Sequence, residues 1–201
     1  MHFRYMPFAA AALLLAPLVG AAQQPAPSAA DTRTLNGVTM PTDVEVAGHP
    51  LLLNGMALRK KFIIKVYVAG LYLPARESDA TRILEADAPR RLVMQFVYGV
   101  GAKKMCGAWN EALENNTPDA SDDLKARFGM LCGYMEDVAK GESFVFTYLP
   151  GAGTTVEVKG QVKGVIEGKD FADALFKAWI GPKPGPGEGF KRDLLGKAGS
   201  D

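Results

Sequence analysis

The sequence predicts an α+β fold, an antiparallel sheet with a layer of helices packed on one face. Three observations carry this. Short β-branched and aromatic runs bounded by glycine or proline occur both early and late in the chain. Two amphipathic helices in succession separate those runs. The late strands are joined by turns too short for a parallel crossover, and no strand–helix alternation runs through the chain. There is no internal repeat, and the length suits one domain with a sizeable core.

The first element is a leader. His2 and Arg4 form a weakly basic start, Met6 to Val19 is apolar and uncharged, and Gly20-Ala21-Ala22 supplies the small residues of a cleavage site. The apolar run is shorter than the roughly 20 residues a membrane helix needs, and Pro7 and Pro17 interrupt it. Residues 1–22 therefore read as a cleavable signal peptide, which predicts export to a bacterial periplasm. Residues 23–43, rich at first in Ala, Pro, Gln and Ser, read as a disordered lead-in to a domain over 44–196, with 197–201 as a tail.

Val44 to Ala47 and Leu51 to Leu53 are short apolar runs split by a turn-like Gly48-His49-Pro50. Phe62 to Leu73 and Arg91 to Tyr98 are further strand candidates. Ala102 to Asn115 reads as a helix with Cys106, Trp109, Asn110 and Leu113 on one face. Asp122 to Lys140 repeats the pattern with Leu124, Phe128, Leu131, Met135 and Val138, up to a stop at Gly141. Strands return at Ser143 to Leu149, Thr154 to Lys159 and Gln161 to Glu167, with turns at Pro150 to Gly153 and at Gly160. Asp170 is the expected cap of a helix through Ile180 that buries Phe171, Ala174, Leu175 and Ala178 and stops at Gly181-Pro182. A Gly/Pro-rich stretch then leads to Phe190–Leu195.

Several functions are excluded. The chain carries a formal charge of +1 with Lys and Arg scattered, so it lacks the footprint of a nucleic-acid binder. After the leader, His49 is the only histidine, and there is no H-E-x-x-H, C-x-x-C or P-loop; neither a metal nor a cofactor is expected. Gly99-Val100-Gly101-Ala102-Lys103-Lys104 lacks the third glycine of a dinucleotide fingerprint. Asn115-Asn116-Thr117 matches a glycosylation sequon and reads as a solvated helix link. Cys106 and Cys132 leave two states open, a disulfide between antiparallel helices or two thiols buried on apolar faces.

The informative stretch is Leu51 to Leu73, where Asn54-Gly55 punctuates an apolar run and Arg59 precedes Tyr67 by an even spacing. In an unbroken strand the two would share a face, although Lys60-Lys61 also reads as a turn. A guanidinium fork beside a phenol at the polar end of an apolar cavity suits a carboxylate or another oxyanion. The alternative is a solvated basic turn with Tyr67 in the core.

These residues resemble the chalcone isomerase-like family, and in particular its bacterial exported branch. The resemblance rests on Asn54-Gly55-x-x-x-Arg59, on Lys65-Val66-Tyr67-Val68-Ala69-Gly70-Leu71-Tyr72-Leu73, and on Trp179-Ile180-Gly181 with Leu194-Leu195-Gly196. It spans about Val44 to Gly196 and implies an open-faced β-sandwich, a long antiparallel sheet against helices with an apolar cleft between them. Arg59 aligns with the arginine that stabilises oxyanions in the isomerases. Tyr67 stands in place of their threonine, Lys103 falls near their cleft tyrosine, Asn110 corresponds to their helix asparagine, and Ala178 replaces a hydroxyl residue. Arginine with tyrosine is instead the pattern of the fatty-acid-binding members. The resemblance thus implies a non-catalytic binder of a small amphipathic ligand, with Arg59, Tyr67, Lys103 and Asn110 as its site. Two alternatives remain, an isomerase closing a chalcone-like ketone with Arg59 as its catalytic residue, or a ligand-free accessory protein of the envelope.

Overall fold

The computed structural model describes Met1 and residues 31–197. Residues 2–22 of the expected leader, residues 23–30 of the expected lead-in and residues 198–201 of the expected tail lie outside these residues. Seven strands pair antiparallel in sequence order: β3 (Asp43–Val46), β4 (His49–Lys61), β5 (Ile64–Leu73), β6 (Arg90–Phe96), β7 (Ser143–Leu149), β8 (Gly153–Val158) and β9 (Gln161–Ile166). A separate hairpin, β1 (Thr32–Leu35) and β2 (Val38–Pro41), precedes them. Five helices complete the described chain: α1 (Ala80–Glu85), α2 (Ala102–Asn116), α3 (Asp122–Tyr134), α4 (Lys169–Ile180) and α5 (Glu188–Leu194). The α+β class and the sheet-with-helices architecture are as the sequence predicts.

The two faces of the sheet bury different things. Inner-face side chains such as Ala57, Tyr67, Ala69, Leu71, Leu92, Met94 and Phe96 form one core with the helices. On the outer face Leu51, Leu53, Met56, Val68 and Tyr72 are covered by Val38 and Met40 of the β1–β2 hairpin. Alternation along β5 and β6 explains why two-sided burial produces nearly continuous apolar runs.

Four expectations are corrected. The lead-in does not extend to residue 43, because Thr32 to Pro41 forms β1 and β2 around an Asn36-Gly37 turn. The turn expected at Gly48-His49-Pro50 falls at Ala47-Gly48, both at positive φ, and His49 opens β4 paired with Val46. Helix α3 stops at Tyr134 rather than Lys140: Val138 leaves the helix to exchange two 2.9 Å backbone hydrogen bonds with Val100. Met135 and Val138 remain buried, but from extended chain. Finally, α4 starts after Gly168 at φ +96°, and Asp170 lies in its first turn, where it pairs with Arg127 of α3 instead of capping. Helix α1 had a signal that the sequence reading passed over, the Asp79 carboxylate accepting from Thr81 N at 2.8 Å.

Cys106 and Cys132 form a disulfide, which settles the two states the sequence left open. It joins α2 to α3, whose Cα atoms approach to 4.9 Å at that point. Helix α2 buries Met105, Trp109, Ala112, Leu113 and Asn116 against the sheet and α4.

Candidate functional site

Strand β4 carries Arg59 and β5 carries Tyr67, and the register places them directly opposite one another. Their common face therefore comes from a hairpin turn at Phe62-Ile63, not from one unbroken strand. Which face they share is decided upstream. The β4–β5 register shifts between Leu53 and Gly55, a bulge that inserts one residue. Before it, odd-numbered Leu51 and Leu53 point to the outer core; after it, even-numbered Met56 does, and Ala57 joins the helix-side core. Arg59 follows Ala57 by two residues and so inherits the helix side.

The bulge is held by its own polar side chain. Asn54 is 2 % exposed; its amide donates to Glu77 O at 2.9 Å and to Leu194 O at 3.3 Å, while its Oδ1 accepts from Glu77 N at 2.9 Å. At Gly55 a Cβ would stand 2.4 Å from the carbonyl oxygens of Asp193 and Leu194, so only glycine lets the end of α5 approach the strand. Asn54-Gly55-x-x-x-Arg59 is thus one device: a bulge, a seat for the last helix, and an arginine turned inward.

Arg59 is half-buried, and its Nη1 donates to the carbonyl of Pro186, at 2.9 Å, in the α4–α5 connection. Among the described residues no ion pair involves it. Its charge is met by a neutral carbonyl, which leaves the guanidinium capacity for an anion. Tyr67 is buried, edge-on to Phe96 and Phe190, and its oxygen accepts from Trp179 Nε1 at 3.1 Å. Burial raises the Tyr67 phenol to about 12, against the opposing pull of the Trp179 hydrogen bond and the Arg59 charge. It is therefore a neutral donor at ordinary pH.

The apolar layer behind this pair is packed with rings. Trp179 stacks edge-on to Trp109 and Phe176, and Trp109 to Phe146. Two concave sites, of about 590 and 570 Å³, lie elsewhere, and neither has Arg59 or Tyr67 in its lining. Among the described residues no cluster of three potential metal ligands occurs, and no helix is long and apolar enough to cross a membrane.

The structure does not bring Lys103 and Asn110 to the pair. Both are exposed on α2, on the side opposite its buried stripe, and the Asn110 amide faces the Cys106 sulfur at 3.8 Å. The expected face of Cys106, Trp109, Asn110 and Leu113 is rotated toward Met105 and Ala112. Ala178 is buried and offers no hydroxyl.

Sequence reasoning missed two buried polar residues. Asn116 reads as a solvated link but is buried, donating to Ala112 O and Lys183 O and accepting from Lys183 N, which ties α2 to the α4–α5 connection. Arg90 is 1 % exposed between the rings of Tyr148 and Phe176, each 4.9 Å away, and pairs with Asp173. Neither is a surface residue despite its chemistry.

The family model for chalcone isomerase-like proteins matches residues 32–196. The chain belongs to the chalcone isomerase-like family. Its match begins at the first residue of β1, so the outer hairpin is part of the chalcone isomerase-like domain. Among solved structures, a fatty-acid binding protein of Arabidopsis thaliana is similar at TM-score 0.66 and 18% identity, covering 82% of this chain and 96% of that one. At that identity the likeness shows the shared fold. No protein of curated function matches the sequence.

Proposed function

We propose that this protein is an exported, non-catalytic binder of a fatty acid or similar amphipathic carboxylate, with Arg59 and Tyr67 as the headgroup site. The carrying observation is the cross-strand pairing of Arg59 with a buried, neutral Tyr67, the arginine being held by the carbonyl of Pro186 alone. A ligand carboxylate would take the place of that carbonyl. It gains a charge-assisted hydrogen bond from the guanidinium, and the Tyr67 hydroxyl, whose oxygen already accepts from Trp179, donates its proton. The hydrocarbon would lie among Phe96, Phe190 and Trp179, with α5 and the Gly181–Gly187 connection moving to admit it.

The fold shared with a fatty-acid binding protein supports this reading. An isomerase is less well served, since Ala178 stands where a hydroxyl is wanted and Lys103 and Asn110 face solvent. Calorimetry of the delipidated protein with palmitate tests the proposal. Arg59→Ala should weaken binding about thirtyfold, the worth of a charge-assisted hydrogen bond, and Tyr67→Phe about tenfold or less. Palmitate methyl ester should bind weakly and be indifferent to Arg59→Ala. Unchanged acid affinity in both variants sinks the reading. Export is checked separately, by a mature N-terminus beginning after Ala22.

A further inference from the structure

The tip of the β4–β5 hairpin is apolar and uncovered. Phe62 is 91% exposed and Ile63 96%, with Ile64 beside them at 42%. Phe62 holds φ +55°, the left-handed region that Asn36, Ala47 and Lys159 occupy at the other tight turns, each followed by glycine. Here an isoleucine follows instead. A bulky aromatic at positive φ in full contact with water is favoured neither by the backbone nor by the solvent.

Charge surrounds these side chains. Lys60, Lys61 and Lys65 are all exposed, and Lys60 is paired directly opposite Lys65, a like-charge pairing that disfavours the isolated hairpin. Lys140 joins Lys65 across the concave site between the β1–β2 turn and the β5–β6 end. No acidic residue occurs between Glu45 and Glu77, and among the described residues none of the four lysines forms an ion pair. The exposed Phe62 and Ile63 side chains and the Lys60–Lys65 pairing each cost free energy in water, and one kind of surface relieves both.

We infer that this hairpin tip docks on an anionic lipid surface, with Phe62 and Ile63 entering the headgroup–acyl boundary and the lysines meeting phosphate groups. Size separates this from a protein partner. Two side chains on a narrow convex turn bury on the order of a few hundred Å², whereas a stable protein interface takes about 1,200–2,000 Å². Lipid accepts a protruding wedge, and lysines extend their apolar stems along it while their ammonium groups stay in water. Arg59 lies three residues before the two-residue turn and Tyr67 four after it, so docking would set that end of β4 and β5 against the lipid. The inference stands whether or not the pair binds an acid.

Co-sedimentation of the purified protein with vesicles tests it. Binding is expected to vesicles of phosphatidylglycerol mixed with phosphatidylcholine, to be absent with phosphatidylcholine alone, and to weaken as salt is raised. The double variant Phe62→Asn, Ile63→Gly installs a favoured hairpin turn, so its melting temperature should hold or rise. It should lose about tenfold in vesicle affinity, and Lys60→Gln and Lys61→Gln about fivefold each. Absence of binding to the anionic vesicles overturns the inference. So does equal binding to both vesicle types, an unchanged affinity in the double variant, or a tip that serves only to join two copies of the chain, seen as a dimer that the double variant dissolves.

Discussion

Arg59 owes its side of the sheet to one inserted residue. Without the bulge at Asn54-Gly55, position 59 would share the outer face with Leu51 and Leu53. Replacing Asn54 by Ala leaves Glu77 N and Leu194 O buried without their partner, a cost of about 1–3 kcal/mol. Gly55→Ala drives a methyl into two backbone carbonyls, and overpacking of that kind costs about 1–3 kcal/mol. Urea denaturation should show both losses, and limited proteolysis should cut near α5 sooner in the Gly55 variant. At this scale the sequence was partly legible. The even spacing of Arg59 and Tyr67 pointed to a common face, but a hairpin pairing produces it, because a turn at Phe62-Ile63 intervenes. Lys103 and Asn110 entered through the family resemblance, which carries no helical phase. The expected face of α2 was phased on Cys106, a residue whose place is set by its bond to Cys132, whereas the stripe that packs inward runs through Met105, Trp109 and Ala112.

Helices α2 and α3 form a unit closed by Cys106–Cys132, a bond spanning 26 residues of chain. In the chain-entropy account a loop of that length is worth about 3.5 kcal/mol. Reduction should therefore lower the melting temperature by roughly 7–14 °C for a domain of this size, with Cys106→Ser, Cys132→Ser giving the same value with or without reductant. Helix α3 shows where periodicity stops being informative. Met135 and Val138 continue the spacing of Leu124, Phe128 and Leu131, and they are buried as that spacing implies. The backbone nonetheless leaves the helix, because pairing with Val100 is a long-range bond that a local pattern does not encode. Strands β7 to β9 were legible for the opposite reason: each pairs with its chain neighbour across a short turn.

For the whole molecule, alkali is the discriminating stress. Tyr67, Tyr72 and Tyr148 are each raised to about 12, burial being the leading cause in all three. The unfolded chain ionises its tyrosines near 10, so between about pH 10 and 12 it binds fewer protons than the native state and stability falls as pH rises. Below pH 10 the contribution is constant. Tyr67 alone should account for on the order of 2–3 kcal/mol across that window, and Tyr67→Phe should flatten that limb of a stability–pH curve measured by denaturant unfolding. The β1–β2 hairpin escaped the sequence reading because an isolated hairpin is marginal in water; Asn36-Gly37 was a turn signal, but Val38 and Met40 gain a partner only once the sheet's outer face exists. A similar dependence on distant chain governs the bulge, whose Asn54 amide reaches Leu194 O across 140 positions. Strand β4 is therefore completed by α5. A chain in which α5 has yet to dock can pair its strands, but Asn54 and Gly55 then have nothing to close against, so native structure at this site waits on a segment made long after it.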